Sequence, residues 1–107
     1  MTIFEKIKSS IELEGIDAYD VQVLEYVNQD INFLNNNNIP VTTIDETTEG
    51  FDGLESVDLP VVLEYLMWNA MIKLDRTFLS QSATASYIEN RIATCLNMLK
   101  GKYDIVE

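Results

Sequence analysis

The chain of 107 residues contains no histidine and only one cysteine, Cys95. Without imidazole it lacks the commonest general base at neutral pH, and a single thiol leaves no cluster for structural zinc. An intrachain disulfide is also excluded, which fits a reducing compartment. The sequence therefore predicts no zinc site and no histidine-based catalysis, and Cys95 is interpreted as a small buried hydrophobic residue.

Basic residues are also scarce, since seven Lys and Arg stand against 18 Asp and Glu and give a formal charge of −11 at pH 7. A chain of this charge is repelled by phosphate backbones and by anionic lipid surfaces. Direct binding to nucleic acid and to membrane surfaces is therefore excluded as an expected role.

Long apolar runs are absent as well. No uncharged apolar stretch reaches transmembrane length, and the N-terminal sequence "MTIFEKIKSS" lacks the apolar core of a signal peptide. With 47% hydrophobic residues the chain is nevertheless of ordinary globular composition. We expect a single domain, soluble and made in the cytoplasm, with one core.

The spacing of the apolar residues predicts a mainly α fold, a small four-helix bundle formed by residues 1–107. A long acidic loop, with or without a short β-hairpin, separates the second and third helices, and an extended tail ends the chain. The predicted helices cover residues 2–14, 17–36, 58–75 and 83–100; the loop covers 37–57 and the tail 101–107.

Residues near the predicted helix ends supply the stop and start signals. Thr2 is suited to cap the first helix and Gly15 to end it, while Asp17 is suited to open the second. The asparagine run 35–38 ends the second helix because asparagine tolerates left-handed geometry. Gly101 is expected to close the fourth helix.

The third helix contains the stretch "EYLMWNAMIKLD", which is apolar around most of its circumference. Such a helix is either central in a bundle or buried by a second chain. Tryptophan and methionine at helical spacing are more often core than cofactor pocket, so no cofactor is expected. The residues predicted to pack the bundle, or one subunit against the next, are Tyr65, Trp68, Met71 and Ile72.

The loop and the tail are the other candidate contact regions. Loops of this length are usually functional or mobile. Five loop carboxylates are candidates for facing a channel or a neighbouring ring: Asp45, Glu46, Glu49, Asp52 and Glu55. Their spacing does not match a calcium-binding EF-hand, and nothing in the loop desolvates a carboxylate for catalysis. The apolar tail residues are expected to dock onto this domain or a neighbour; they are Tyr103, Ile105 and Val106.

Phosphate-binding and dinucleotide-binding glycine motifs and the nucleophile elbow are also missing. No enzymatic activity is therefore predicted.

The third helix and the residues after it, "VVLEYLMWNAMIKLDRTFLSQSATASYIENRIATCLNML", resemble the C-terminal half of the head-tail connector proteins of tailed bacteriophages, also called adaptor or head-completion proteins. Residues 65–68 match the aromatic part of the family pattern, Leu74 and Asp75 its end, and Arg91 and Ile92 the pair in the last helix. Leu74 stands where the family has an aromatic residue, and Arg76 stands where proline is frequent.

The resemblance implies a virion structural protein of the neck that forms a ring, usually a dodecamer, beneath the portal and above the stopper or tail-completion protein. It implies that the loop, residues 42–56, faces the channel or the next ring, and that Tyr103, Ile105 and Val106 contact the portal. The genome would pass through without sequence-specific binding. A ring lined with acidic loops would repel DNA and keep it from adhering.

Three other functions remain open from the sequence. A small acidic inhibitor or DNA-mimic regulator would use the same charge, although a mimic needs carboxylates on a rigid face. An enzyme or metal-binding domain lacks a constellation of residues. A helical domain whose charge serves only solubility is the plainest alternative.

Overall fold

A computed structural model describes residues 1–13, 15–74 and 82–103, including the side chains of all but residues 82–85. This part of the chain contains four α-helices and no strand, so the predicted mainly α class is confirmed. A 3₁₀ turn, Ser56–Asp58, leads directly into the third helix. The helices are α1 (Ile3–Ser10), α2 (Asp20–Asn36), α3 (Leu59–Leu74) and α4 (Ser82–Tyr103).

Helix α3 is central and contacts α1, α2 and α4. Leu66 and Val62 are fully buried, and Pro60 is the one residue of α3 that is exposed. Burial of a leucine side chain stabilises the fold by about 2 kcal/mol. The chain's own helices thus account for the apolar circumference of α3, and a second chain is not needed to explain it.

Helix α4 runs antiparallel to α3 and turns Ile88, Cys95 and Leu99 into the core. Three contacts along the two helices show this orientation: Tyr103 contacts Asp58, Arg91 contacts Glu64, and Tyr87 contacts Trp68. The C-terminal end of α4 therefore lies at the N-terminal end of α3.

The first helix begins as predicted but ends earlier. Thr2 and Glu5 form a reciprocal capping box, in which the Glu5 N–H donates to Thr2 Oγ1 over 3.2 Å and the Thr2 N–H donates to Glu5 Oε1 over 3.1 Å. The end at residue 14 is wrong, since α1 stops at Ser10. Glu12 adopts the left-handed conformation, with φ of 62°, that closes a helix. The N–H of Leu13 donates to the Lys8 carbonyl over 2.8 Å, which is the hydrogen bond of a Schellman motif at a helix end.

The second helix begins three residues later than predicted. Tyr19 is its N-cap and makes no side-chain cap, so Asp17 does not open the helix. The carboxylate of Asp17 binds Lys8 Nζ instead, over 3.2 Å. At the other end the prediction is confirmed, because α2 stops at Asn36 and Asn38 takes a left-handed φ of 68°.

The fourth helix continues through Gly101 to Tyr103, so the predicted stop at Gly101 is wrong. The last turn is held from outside the helix, since the Tyr103 hydroxyl donates to Asp58 Oδ2 and accepts from the Glu55 N–H over 3.2 Å. These tertiary bonds offset the helix-breaking tendency of one glycine, which costs about 1 kcal/mol.

The connection between α2 and α3 contains an acidic segment, defined here as residues 39–55, and it contains no strand. Ile39, Val41 and Ile44 are buried in the core. The side chain of Asn28 binds both backbone polar groups of Ile44. It accepts from the Ile44 N–H over 2.8 Å and donates to the Ile44 carbonyl over 2.9 Å. The sequence predicted a loop that is functional or mobile, and apolar burial and backbone hydrogen bonds argue against mobility of this segment.

Candidate assembly surfaces

The predicted packing residues of α3 divide into two groups. Tyr65 is 5% exposed and belongs to the core, where burial, with a smaller effect of the Asp30 charge, raises its pKa to about 12. Trp68, Met71 and Ile72 are half-buried. Tyr65 thus packs the fold itself, whereas the other three lie close enough to the surface to contact a neighbour.

Trp68 and Met71 line an open cavity of about 670 Å³. Trp68 meets Tyr87 edge to face, with ring centroids 5.9 Å apart and an interplanar angle of 86°. We call this cavity the aromatic groove. Its lining residues are Ser10, Ile11, Glu12, Leu13, Tyr19, Trp68, Met71, Leu74, Tyr87 and Ile88.

The middle of the α3–α4 contact is a charged pair. Arg91 Nη2 donates to both carboxylate oxygens of Glu64, over 2.8 and 2.6 Å, and this bond lowers the pKa of Glu64. The Cys95 thiol donates to the same carboxylate over 2.8 Å. Burial and this hydrogen bond raise the pKa of Cys95 to about 12, so the sulfur stays protonated and is a poor nucleophile.

All five candidate carboxylates of the acidic segment are exposed, but they differ in their partners. Asp45 Oδ1 accepts from the Thr47 N–H and hydroxyl over 2.8 and 2.6 Å, which lowers the pKa of Asp45 and forms a local turn. Glu55 pairs with Lys102. The remaining three make no ion pair or hydrogen bond within the described part of the chain; they are Glu46, Glu49 and Asp52.

Most of the described lysine and arginine side chains form ion pairs within the chain. Lys8 binds Asp17 and Asp20, and Lys73 binds the largely buried Asp30 over 3.0 Å. Arg91 and Lys102 are paired as well. Few positive charges are therefore free on the described part of the surface, which is mainly negative.

Of the three candidate tail residues, one lies within the described range and two lie outside it. Tyr103 is held by Asp58, as described above, and Lys102 Nζ lies 2.8 Å from the same Asp58 carboxylate. Ile105 and Val106 lie outside the described residues. Tyr103 therefore fixes the position of the last described turn of α4.

The described residues offer little for chemistry. No group of three or more Cys, Asp and Glu within the described ranges is placed to hold a metal ion. None of the helices in those ranges is long and apolar enough to span a bilayer. The arrangement is one of contact surfaces: an exposed acidic segment and an apolar groove.

Two of these features were not predicted from the sequence. The aromatic groove needs Tyr19 and Tyr87, which lie far from Trp68 in the chain. The pinning of the acidic segment depends on Asn28, a polar residue on α2 whose neighbours show no motif. Neither feature leaves a local signal, because both depend on how the helices pack.

Comparison with known proteins gives one finding. Curated proteins and solved structures yield no match. A family described as phage connector protein matches residues 3–105, which is nearly the whole chain and includes the region on which the resemblance was based. Proteins of this family are structural and not typically enzymatic, and they suggest a place in the virion. The chain belongs to the phage connector protein family.

Proposed function

We propose that this protein is a head-tail connector, or adaptor, that forms a ring between the portal and the tail or stopper protein and lines the DNA channel. The family match over residues 3–105 is the observation that carries this proposal. The position in the channel wall and the contact with the portal go beyond that match and are supported by the physical arguments that follow.

The distribution of charge supports a position in the channel wall. Glu46, Glu49 and Asp52 are exposed and unpaired within the described residues, while most described cations are held in internal pairs. A DNA phosphate within about 10 Å of such a surface is repelled at 0.1 M salt. DNA would therefore pass without adhering, which is the property that a channel wall needs.

The portal is the proposed partner on the head side. The end of α4 lies beside Asp58, where Tyr103 anchors it. Ile105 and Val106 follow directly and would supply apolar contact with the portal. Tyr103 positions this segment, since its hydroxyl is already engaged. The stopper or tail-completion protein is the proposed partner on the other side.

A regulator that mimics DNA is the second candidate function, and one observation favours it. Asn28 and the buried Ile39, Val41 and Ile44 hold the backbone of the acidic segment, and a mimic requires its carboxylates on such a fixed backbone. The family match favours the connector function. Failure of the protein to displace DNA from a basic partner would dispose of the mimic.

The experiment that tests the connector proposal mixes the protein with purified portal and images the particles. We expect added ring density on the tail-side face of the portal. The control is a chain that stops after Tyr103, which keeps all four helices and should bind more weakly. If the complete protein adds no density to the portal, the proposal is wrong.

A further inference from the structure

The aromatic groove is a surface to which the proposed function assigns no role. It lies between the connection from α1 to α2 and the antiparallel helices α3 and α4. Two of its aromatic residues reach far into solvent, since Tyr19 is 46% exposed and Tyr87 is 56% exposed. Exposed aromatic side chains around an apolar cavity are typical of interaction sites.

The rim of the groove is negative. Glu12 is the one charged residue among the described lining residues, and it is exposed. Exposed Glu89 lies close in sequence to Tyr87. Lys73, next to the lining residue Leu74, is held by Asp30, and Lys8, two residues before Ser10, is held by Asp17 and Asp20. A segment that enters the groove therefore meets apolar walls and an uncompensated negative charge.

We propose that the aromatic groove is a docking site for a segment of another protein that carries apolar side chains flanked by lysine or arginine. The apolar residues would bury against Trp68, Met71 and Tyr87, and a cation beside them would pair with Glu12. Electrostatic complementarity selects this occupant over an acidic one.

A second copy of this chain is a poor occupant. Four of the six described cations are held by internal carboxylates, which leaves Lys6 and Lys100. A copy therefore offers only these two described cations to the negative rim of the groove.

Residues 104–107 are too few to reach the groove from Tyr103. Tyr87 lies about 24 Å before Tyr103 along α4, at 1.5 Å per residue. Residues 104–107 span about 14 Å when fully extended. They also carry Asp104 and Glu107, which Glu12 would repel.

The inference goes beyond the proposed function and does not require a ring. Binding to the groove can be measured on the isolated protein, so its failure is distinguishable from a failure to bind the portal. Should both hold, the segment belongs to a neighbouring protein of the neck.

Trp68 provides the measurement, because it is the single tryptophan of the chain and lines the groove. The probes are a short amphipathic helical peptide of leucine and lysine and the same peptide with glutamate in place of lysine. We expect the lysine peptide to shift the Trp68 emission in a saturable way. The glutamate peptide should bind at least about tenfold more weakly.

Matched variants separate groove binding from general attraction to an acidic protein. Glu12→Lys changes the rim, whereas Glu46→Lys makes the same change in net charge on the acidic segment. We expect Glu12→Lys to weaken the lysine peptide about fivefold and Glu46→Lys to weaken it less than about twofold. Tyr87→Ser should weaken it about tenfold, and Phe33→Ser, a similarly exposed aromatic residue on α2, should have little effect.

Two outcomes would overturn the inference. Equal weakening by Glu12→Lys and Glu46→Lys would mean that the peptide senses only net charge. An unchanged Trp68 emission with both peptides would mean that the groove accepts no such segment. Circular dichroism of each variant verifies that it is folded.

Discussion

The two ends of the α3–α4 pair are built from different interactions. At the closed end, where α3 begins and α4 ends, Asp58 is bound by Lys102 and by the Tyr103 hydroxyl. At the open end, Trp68 and Tyr87 meet through their rings beside the aromatic groove. The closed end is therefore satisfied within one chain, and the open end leaves apolar surface for a partner.

The two ends should therefore respond differently to a change of pH. Ion pairs and charge-assisted hydrogen bonds weaken when a carboxylate is protonated, whereas aromatic and aliphatic contacts do not titrate. Acid should loosen the closed end first.

Leu66 lies between the two ends and is fully buried. Leu66→Ala should lower the free energy of unfolding by about 3 kcal/mol, because it leaves a cavity next to both ends. Urea unfolding followed by circular dichroism measures this. Leu63→Ala, at a half-buried position on the same helix, is the control and should cost no more than half as much. Equal losses would contradict the central position of Leu66.

Trp68 tests the open end. Trp68→Ala should lower the free energy of unfolding by about 2 kcal/mol, since it removes a half-buried ring and its edge-to-face contact with Tyr87. The loss should be the same at pH 7 and pH 5, because no titrating group is removed. A loss that depends strongly on pH in this range would show that the open end relies on charge.

Asp58 tests the closed end through pH. Lys102 and then Tyr103 lower its pKa below the ordinary value of 3.8. A lowered pKa contributes stability that is present above the ordinary value and is lost as pH falls through the value in the folded protein. Asp58→Asn should therefore destabilise the protein at pH 7 and have a smaller effect near pH 3. A difference that grows on acidification would contradict the assigned ion pair.

Tyr103 gives the smallest expected effect. Tyr103→Phe removes the hydroxyl that links α4 to Asp58 and Glu55 and should cost about 0.5–1 kcal/mol. Hydrogen exchange should quicken at the last turn of α4 and stay unchanged around Trp68. Exchange that quickens equally at both ends would show that they do not open separately.

Local signals in the sequence predicted the elements whose causes are local. Thr2 and Glu5 stand at the spacing of a capping box, and the asparagine run after α2 offers residues that tolerate left-handed geometry. The apolar circumference of α3 predicted a helix that is central in the bundle or buried by a second chain, and α3 contacts the other three helices. These features depend on residues close together in the chain, which is why the pattern sufficed.

Tertiary contacts decided the features that the sequence did not predict. Glu12 adopts the left-handed conformation that the sequence assigned to Gly15 at the end of α1, and α4 passes Gly101 because Tyr103 is bound from outside the helix. The acidic segment had the composition of a mobile loop, yet two bonds from Asn28 and three buried side chains hold it. Polar partners distant in sequence leave no periodic signal.

The most direct test of the connector function is a structure of the neck in the intact phage particle. The account predicts that the four helices of this chain fit a closed ring between the portal and the tail, with the acidic segment facing the channel. Density for this chain outside the neck, or a neck without such a ring, would contradict it.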